Sequence, residues 1–158
     1  MTGTNYISVV TNAEVAAALN IPNVRTVATG DLIEEKGVAL EVTGPDHAII
    51  HRELPQTVNT GFVIDGSIWH PGDALDVAHQ GVRVLLTPIG GPWMKASEAI
   101  DFVRAVKPAV VIPIHQSGLA KVHQDLHVGL LRNLAPTGTS VLILEEGLPT
   151  EISLGVDK

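Results

Sequence analysis

Hydrophobic positions in this chain fall into short runs whose period switches between that of a strand and that of a helix. Tyr6–Thr11 is a brief β-branched run, and Asn12 is a good N-cap for Ala13–Leu19, whose alanines predict a short helix ending before Pro22. Val24–Ala28 reads as a strand followed by a turn at Gly30-Asp31. Gly37–Thr43 alternates, with Val38, Leu40 and Val42 on one face, until Gly44-Pro45-Asp46 breaks it. The stretch Asn59 to Asp76 is the one the rest is organised around. It holds two apolar runs, Gly61–Ile64 and Ser67–Trp69, joined by the turn-forming pair Asp65-Gly66. The second run breaks into His70-Pro71-Gly72-Asp73, which leaves an imidazole and a carboxylate on a loop braced by strands.

Beyond the hairpin, Val82–Pro88 is nearly all apolar, the mark of a strand buried on both faces. After a Gly90–Met94 loop, Ser97 is placed to cap a helix running to about Val106, with Ile100, Val103 and Val106 as its apolar stripe. Pro108–Pro113 is a second buried strand and delivers His115 at its end. Leu119 to Leu134 predicts a longer helix with Val122, Leu126, Leu130 and Leu134 in register. Val141–Leu144 and Glu151–Leu154 read as closing strands. With no repeat and no linker, residues 1–158 form one α/β domain on this reading.

Composition changes the picture in three ways. Positive mean hydropathy points to a folded globular chain. A net charge of −7 without a basic cluster argues against a nucleic-acid surface or an anionic membrane as partner. The absence of cysteine removes disulfides and thiolate metal sites, and with no signal-like segment near Met1 the expected place is the cytoplasm.

Three expected strand ends carry possible metal ligands: His47 after Thr43, Asp73 after Trp69, and His115 after Pro113. Imidazoles with a carboxylate suit zinc first, and iron or manganese next. Spacing leaves open whether the three converge or are a loop carboxylate and ordinary structural histidines. His123 and His127 share a helix face, but His123 is not followed by the glutamate of a zinc-protease helix. Gly90-Gly91 lacks the Lys-Ser/Thr of a phosphate loop.

The order of motifs resembles the metallo-β-lactamase-fold hydrolases, in the branch that includes the ascorbate-phosphate lactonase-like proteins. The residues that carry the likeness are Thr43–His47, Asn59–Ile64, His70–Asp73, Leu86–Gly91 leading to Met94, and Ile112–His115. The resemblance implies part of an αββα sandwich with a two-metal site at strand ends. By that likeness His47 binds one metal, His115 the other, and Asp73 bridges them as the catalytic carboxylate. It further implies that His70 orients Asp73 or a ligand, that Trp93 and Met94 line the substrate side, and that the substrate is a small ester, lactone or phosphodiester.

The family's H-x-H-x-D-H signature is absent: Asp46-His47 matches its last two residues, but Val42 and Gly44 stand where its first histidines would be. The chain therefore reads as a relative lacking the family's first strands and most of its metal ligands. Three readings follow: a hydrolase completed by another copy or chain, a truncated or degenerate relative that keeps the fold without catalysis, and an α/β binding or assembly module. Uncovered sheet edges lead us to expect a homo-oligomer.

Overall fold

The computed structural model describes residues 8–44, 46–75, 79–152 and 154. Tyr6 and Ile7 of the expected first strand, Pro45, Asp76 and Ser153 lie outside them. Two parallel strands, β1 (Val9–Thr11) and β2 (Val24–Thr26), flank helix α1 (Ala13–Leu19), and the side chain of Asn12 caps α1 by accepting the Val15 N–H at 3.0 Å. The main sheet has seven strands in sequence order: β3 (Leu32–Glu35), β4 (Val38–Thr43), β5 (Gly61–Ile64), β6 (Ile68–His70), β7 (Val84–Pro88), β8 (Val110–Ile114) and β9 (Ser140–Val141). Helices α2 (Ala96–Val106) and α3 (Lys121–Leu134) make the β7–β8 and β8–β9 crossovers.

Pairing is antiparallel from β3 to β6 and parallel from β6 to β9. Two antiparallel steps restore direction, so β4 runs the same way as β6, β7 and β8. Their carboxyl ends therefore share one edge of the sheet, the place where open α/β sheets gather ligand-binding loops. The β5–β6 turn forms as its residues dictate. Asp65 and Gly66 both have positive φ, 45° and 65°, and the Ser67 N–H donates to Ile64 O at 3.1 Å.

Residues on alternate sides of the strands build two cores. Val63, Trp69, Leu85 and Val111 face α2 and α3, meeting Phe102, Val103 and Leu131. Val84, Val110 and Ile112 face the other way, joined by Ile68, Leu86, Leu142, Ile152 and Leu154. Among the described residues no helix is long and apolar enough to cross a membrane.

Several details differ from the sequence-based expectations. β3 carries no clear hydrophobic alternation and is found only because it pairs with β4 as an edge strand. Helix α2 begins one residue before the expected cap, because the Glu98 carboxylate accepts the Lys95 N–H at 2.5 Å; Ser97 lies inside the first turn. In α3 the expected stripe faces largely outward: Val122 and Leu126 are exposed, and Leu131 is the buried residue. Helical period marked the apolar positions, but the crossover chose the buried face. Of the closing strands, Ser140–Val141 alone pairs with β8 among the described residues.

Candidate metal centre

Four loops at the shared edge build the site: residues 44–60 after β4, 71–75 after β6, 89–95 after β7, and 115–120 after β8. They bring His47, Asp73, His115 and Trp93 together. Asp73 is the centre. Its Oδ2 lies 3.1 Å from His47 Nε2 and its Oδ1 lies 3.7 Å from His115 Nε2, so each carboxylate oxygen faces one imidazole. The indole of Trp93 meets both imidazoles edge-on, with ring centroids 5.9 Å from His47 and 6.2 Å from His115.

Each of these positions is fixed by the backbone around it. His47 Nδ1–H donates to the Ala48 carbonyl at 2.6 Å, and Ala48 N–H donates to the Asp73 carbonyl at 2.9 Å. His115 sits just past the end of β8 with φ of +61°, a left-handed conformation costly for a residue with a Cβ. Such strain persists only where surrounding structure imposes it. Here Ile89 N–H, donating to Ile114 O at 3.0 Å, ties the two strand ends together just before the chain turns.

The side chain that holds the Asp73 loop is Asn59, one of the few buried polar residues. Its Nδ2 donates to Pro71 O at 2.8 Å and its Oδ1 accepts the Asp73 N–H at 2.9 Å. Gly44 and Gly72 pack against the two sides of this amide. A Cβ on either would come within 2.2 Å of an Asn59 amide atom, and both glycines have positive φ. Asn59 falls within one of the family-like motifs without an expected role; its signal in the sequence is Asn-Thr-Gly opening a strand between two glycine-containing turns.

His70, expected to orient Asp73, acts one residue away: its Nδ1 accepts the Gly72 N–H at 3.1 Å. Burial pulls its pKa below the ordinary value; its backbone hydrogen bond and the Asp73 charge oppose that shift. Met94 is half-buried, and its backbone N–H donates to Gly91 O at 3.3 Å; no contact described for it reaches Asp73 or either imidazole. On α3, His127 Nδ1–H donates to Ile89 O at 2.6 Å, which pins the loop leading to Trp93, while His123 is exposed.

The donor set suits a cation. With Nδ1 committed as a donor, a neutral His47 presents the Nε2 lone pair to a carboxylate oxygen at 3.1 Å. Two lone pairs that close are satisfied by a cation between them, a proton or a metal ion. A metal-binding imidazole is commonly held in this way, through its other N–H to a backbone carbonyl. The number of donors falls short, however. Among the described residues no group of three or more His, Cys, Asp or Glu side chains is arranged to hold one metal ion, and each Asp73 oxygen faces a single imidazole. A catalytic zinc takes three protein ligands.

A family model described as a beta-lactamase superfamily domain matches residues 6–115, from the first strand to His115. The chain belongs to the β-lactamase superfamily. It is similar to Protein Rv0786c of Mycobacterium tuberculosis, 39% identical over 123 residues, covering 75% of this chain and 58% of that protein. It also resembles a UPF0173 metal-dependent hydrolase of Thermoplasma acidophilum, 33% identical over 134 residues, 78% of this chain and 59% of the relative. The superfamily chain thus spans a little under three-fifths of either relative. Among solved structures, the metallo-beta-lactamase fold protein YhfI from Bacillus subtilis superposes with a TM-score of 0.62 at 11% identity, over 94% of this chain and 66% of that one. At that identity the likeness establishes the metallo-β-lactamase fold alone. Within that fold this chain carries the seven-stranded sheet and the edge with His47, Asp73 and His115.

Proposed function

We propose that this superfamily chain carries part of the active site of a metal-dependent hydrolase acting on a small ester, lactone or phosphodiester. The observation that supports it is the Asp73 carboxylate set between His47 Nε2 and His115 Nε2, one imidazole on each oxygen. The Thermoplasma relative's description as a metal-dependent hydrolase favours the same reading. A divalent metal, zinc before iron or manganese, would supply Lewis acidity at this edge. On this reading Asp73 and the two imidazoles bind the metals, and Asn59 keeps Asp73 in place. Trp93 walls the site on the side of both imidazoles. The remaining ligands come from a segment or chain outside these 158 residues.

Metal content per chain, on protein purified without chelator beside a His115→Ala variant, tests the reading. Near-stoichiometric metal in the wild type and its loss in the variant are expected. No metal in either protein sinks it.

The absence of any described three-donor group favours a second reading, a relative that keeps the fold without catalysis and serves as a binding or assembly module. Uncovered sheet edges favour a homo-oligomer under either reading, and a monomer in light scattering counts against that assembly.

A further inference from the structure

The loop between Asp46 and Val58 carries the site's first imidazole and, a few residues on, three exposed large apolar side chains: Ile49, Ile50 and Leu54, with 68%, 49% and 55% of their surface accessible. Single exposed hydrophobes are ordinary, but three on one loop beside an ionisable site are not. Nor is the loop a loose one. An antiparallel bridge between Asp46 and Val58 closes its base, and His47 N–H donates to Thr57 O at 3.0 Å. Gln56 Nε2 donates to His47 O at 2.5 Å, and at the tip Leu54 N–H donates to His51 O at 2.9 Å. Ala48 N–H, bonded to the Asp73 carbonyl, joins the whole loop to the metal-site turn.

The apolar side chains open onto cavities that adjoin the site. One of about 250 Å³ is lined by His47, Ile49, Ile50 and Leu54. A second, of about 330 Å³, shares His47 and Ile49 with it and adds Leu75. A third, of about 220 Å³, shares Ala48 and Leu75 with the second and reaches Trp93. The three are separate cavities with wall residues in common, and His47 lines the first two, so together they border the site's first imidazole from Trp93 to the loop tip. Apolar walls leading away from a few polar groups are the usual build of a small-molecule pocket.

We infer that the 46–58 loop is a trough for the hydrocarbon tail of the substrate, which makes the substrate class lactones or esters bearing an alkyl or aryl tail. This rests on the hydrolase reading for the reacting end, while the trough itself is tested without turnover. The scissile group sits against Asp73 and the tail lies along Leu75 and Ile49 toward Ile50 and Leu54. Each methylene laid in the trough leaves water, which strengthens binding by about fourfold if fully buried.

Calorimetric titration with 2-alkylcyclopentanones, lactone isosteres that cannot hydrolyse, tests this across tails of two to eight carbons. The affinity of the wild-type chain is expected to climb about two- to fourfold per methylene, with a negative heat-capacity change. An Ile50→Ser/Leu54→Ser double variant is expected to lose most of that climb, with circular dichroism confirming its fold. A flat series in the wild type overturns the proposal, as does an undiminished climb in the variant. So does self-association of the wild type that the double variant abolishes, since a second copy would then be the occupant. Metal content is measured on the same samples. A climb without metal sinks the hydrolase reading and leaves the trough; metal without a climb does the reverse.

Discussion

Asn59 and Asp73 are joined side chain to backbone: Asn59 Oδ1 accepts the Asp73 N–H at 2.9 Å while its Nδ2 donates to Pro71 O at 2.8 Å. One buried amide therefore spans the turn that presents the central carboxylate. Asn59→Ala removes both bonds and strands two partners, and an unmet buried partner costs about 1–3 kcal/mol. Urea unfolding should show a loss of about 2–4 kcal/mol. A change within 0.5 kcal/mol, roughly that of a surface substitution, would mean the amide is not the brace.

The glycines beside that amide sharpen the point. Gly72→Ala places a Cβ 2.2 Å from Asn59 Oδ1 at a φ of +67°, whereas Gly30, with φ of +92°, has nothing within 4 Å of such a Cβ. The left-handed conformation costs about 1–2 kcal/mol in both alanine variants. Thermal melts should therefore place Gly72→Ala well below Gly30→Ala. Equal melting temperatures would remove steric packing from the account.

Asp73→Asn replaces the one anion that faces both imidazoles. The amide keeps the shape but loses the charge that attracts a cation, and one amide atom becomes a donor. Metal retention after dialysis should fall by at least about tenfold, the scale on which altered ligand environments act, and by more than in either single histidine variant. Retention equal to wild type would show that any metal binds elsewhere.

His70 gives a pH dependence with a definite sign. Burial lowers its pKa in the fold from the ordinary 6.5, so the unfolded chain takes up the proton more readily. Its contribution to stability is complete above pH 6.5 and is lost as pH falls from there toward the lowered folded value. Protonation also removes the acceptor of the Gly72 N–H. The difference in urea stability between wild type and His70→Asn should change across that window. A pH-independent difference would contradict it.

On α3, Leu131→Ala should cost about 2–5 kcal/mol, as buried leucines do. Leu126→Ala should stay within about 0.5 kcal/mol, because Leu126 is exposed. The two losses, read from denaturant midpoints, separate the buried face from the outward one.

Much of this molecule is legible from local pattern. The limits of α1 follow from Asn12 and the alanines, and the β5–β6 turn from Asp65-Gly66. The buried strands β7 and β8 follow from runs that are nearly all apolar. His47, Asp73 and His115 are nameable as strand-end ligands because ionisable groups within a few residues of a strand's end are visible in sequence. Each of these depends on interactions within a few residues.

What lies across the fold was decided by the tertiary structure. Two antiparallel steps turned β4 to run with β6 and β8, and only that brings His47 beside Asp73. The orientation of α3 left Val122 and Leu126 exposed, although their spacing predicted burial. Asn59 became the brace of Asp73 because Gly44, from the far end of its own loop, and Pro71 and Gly72, from the loop after β6, meet around it. A sequence records which side chains can bond or bury; which of them do depends on neighbours distant along the chain, set only when the sheet is assembled.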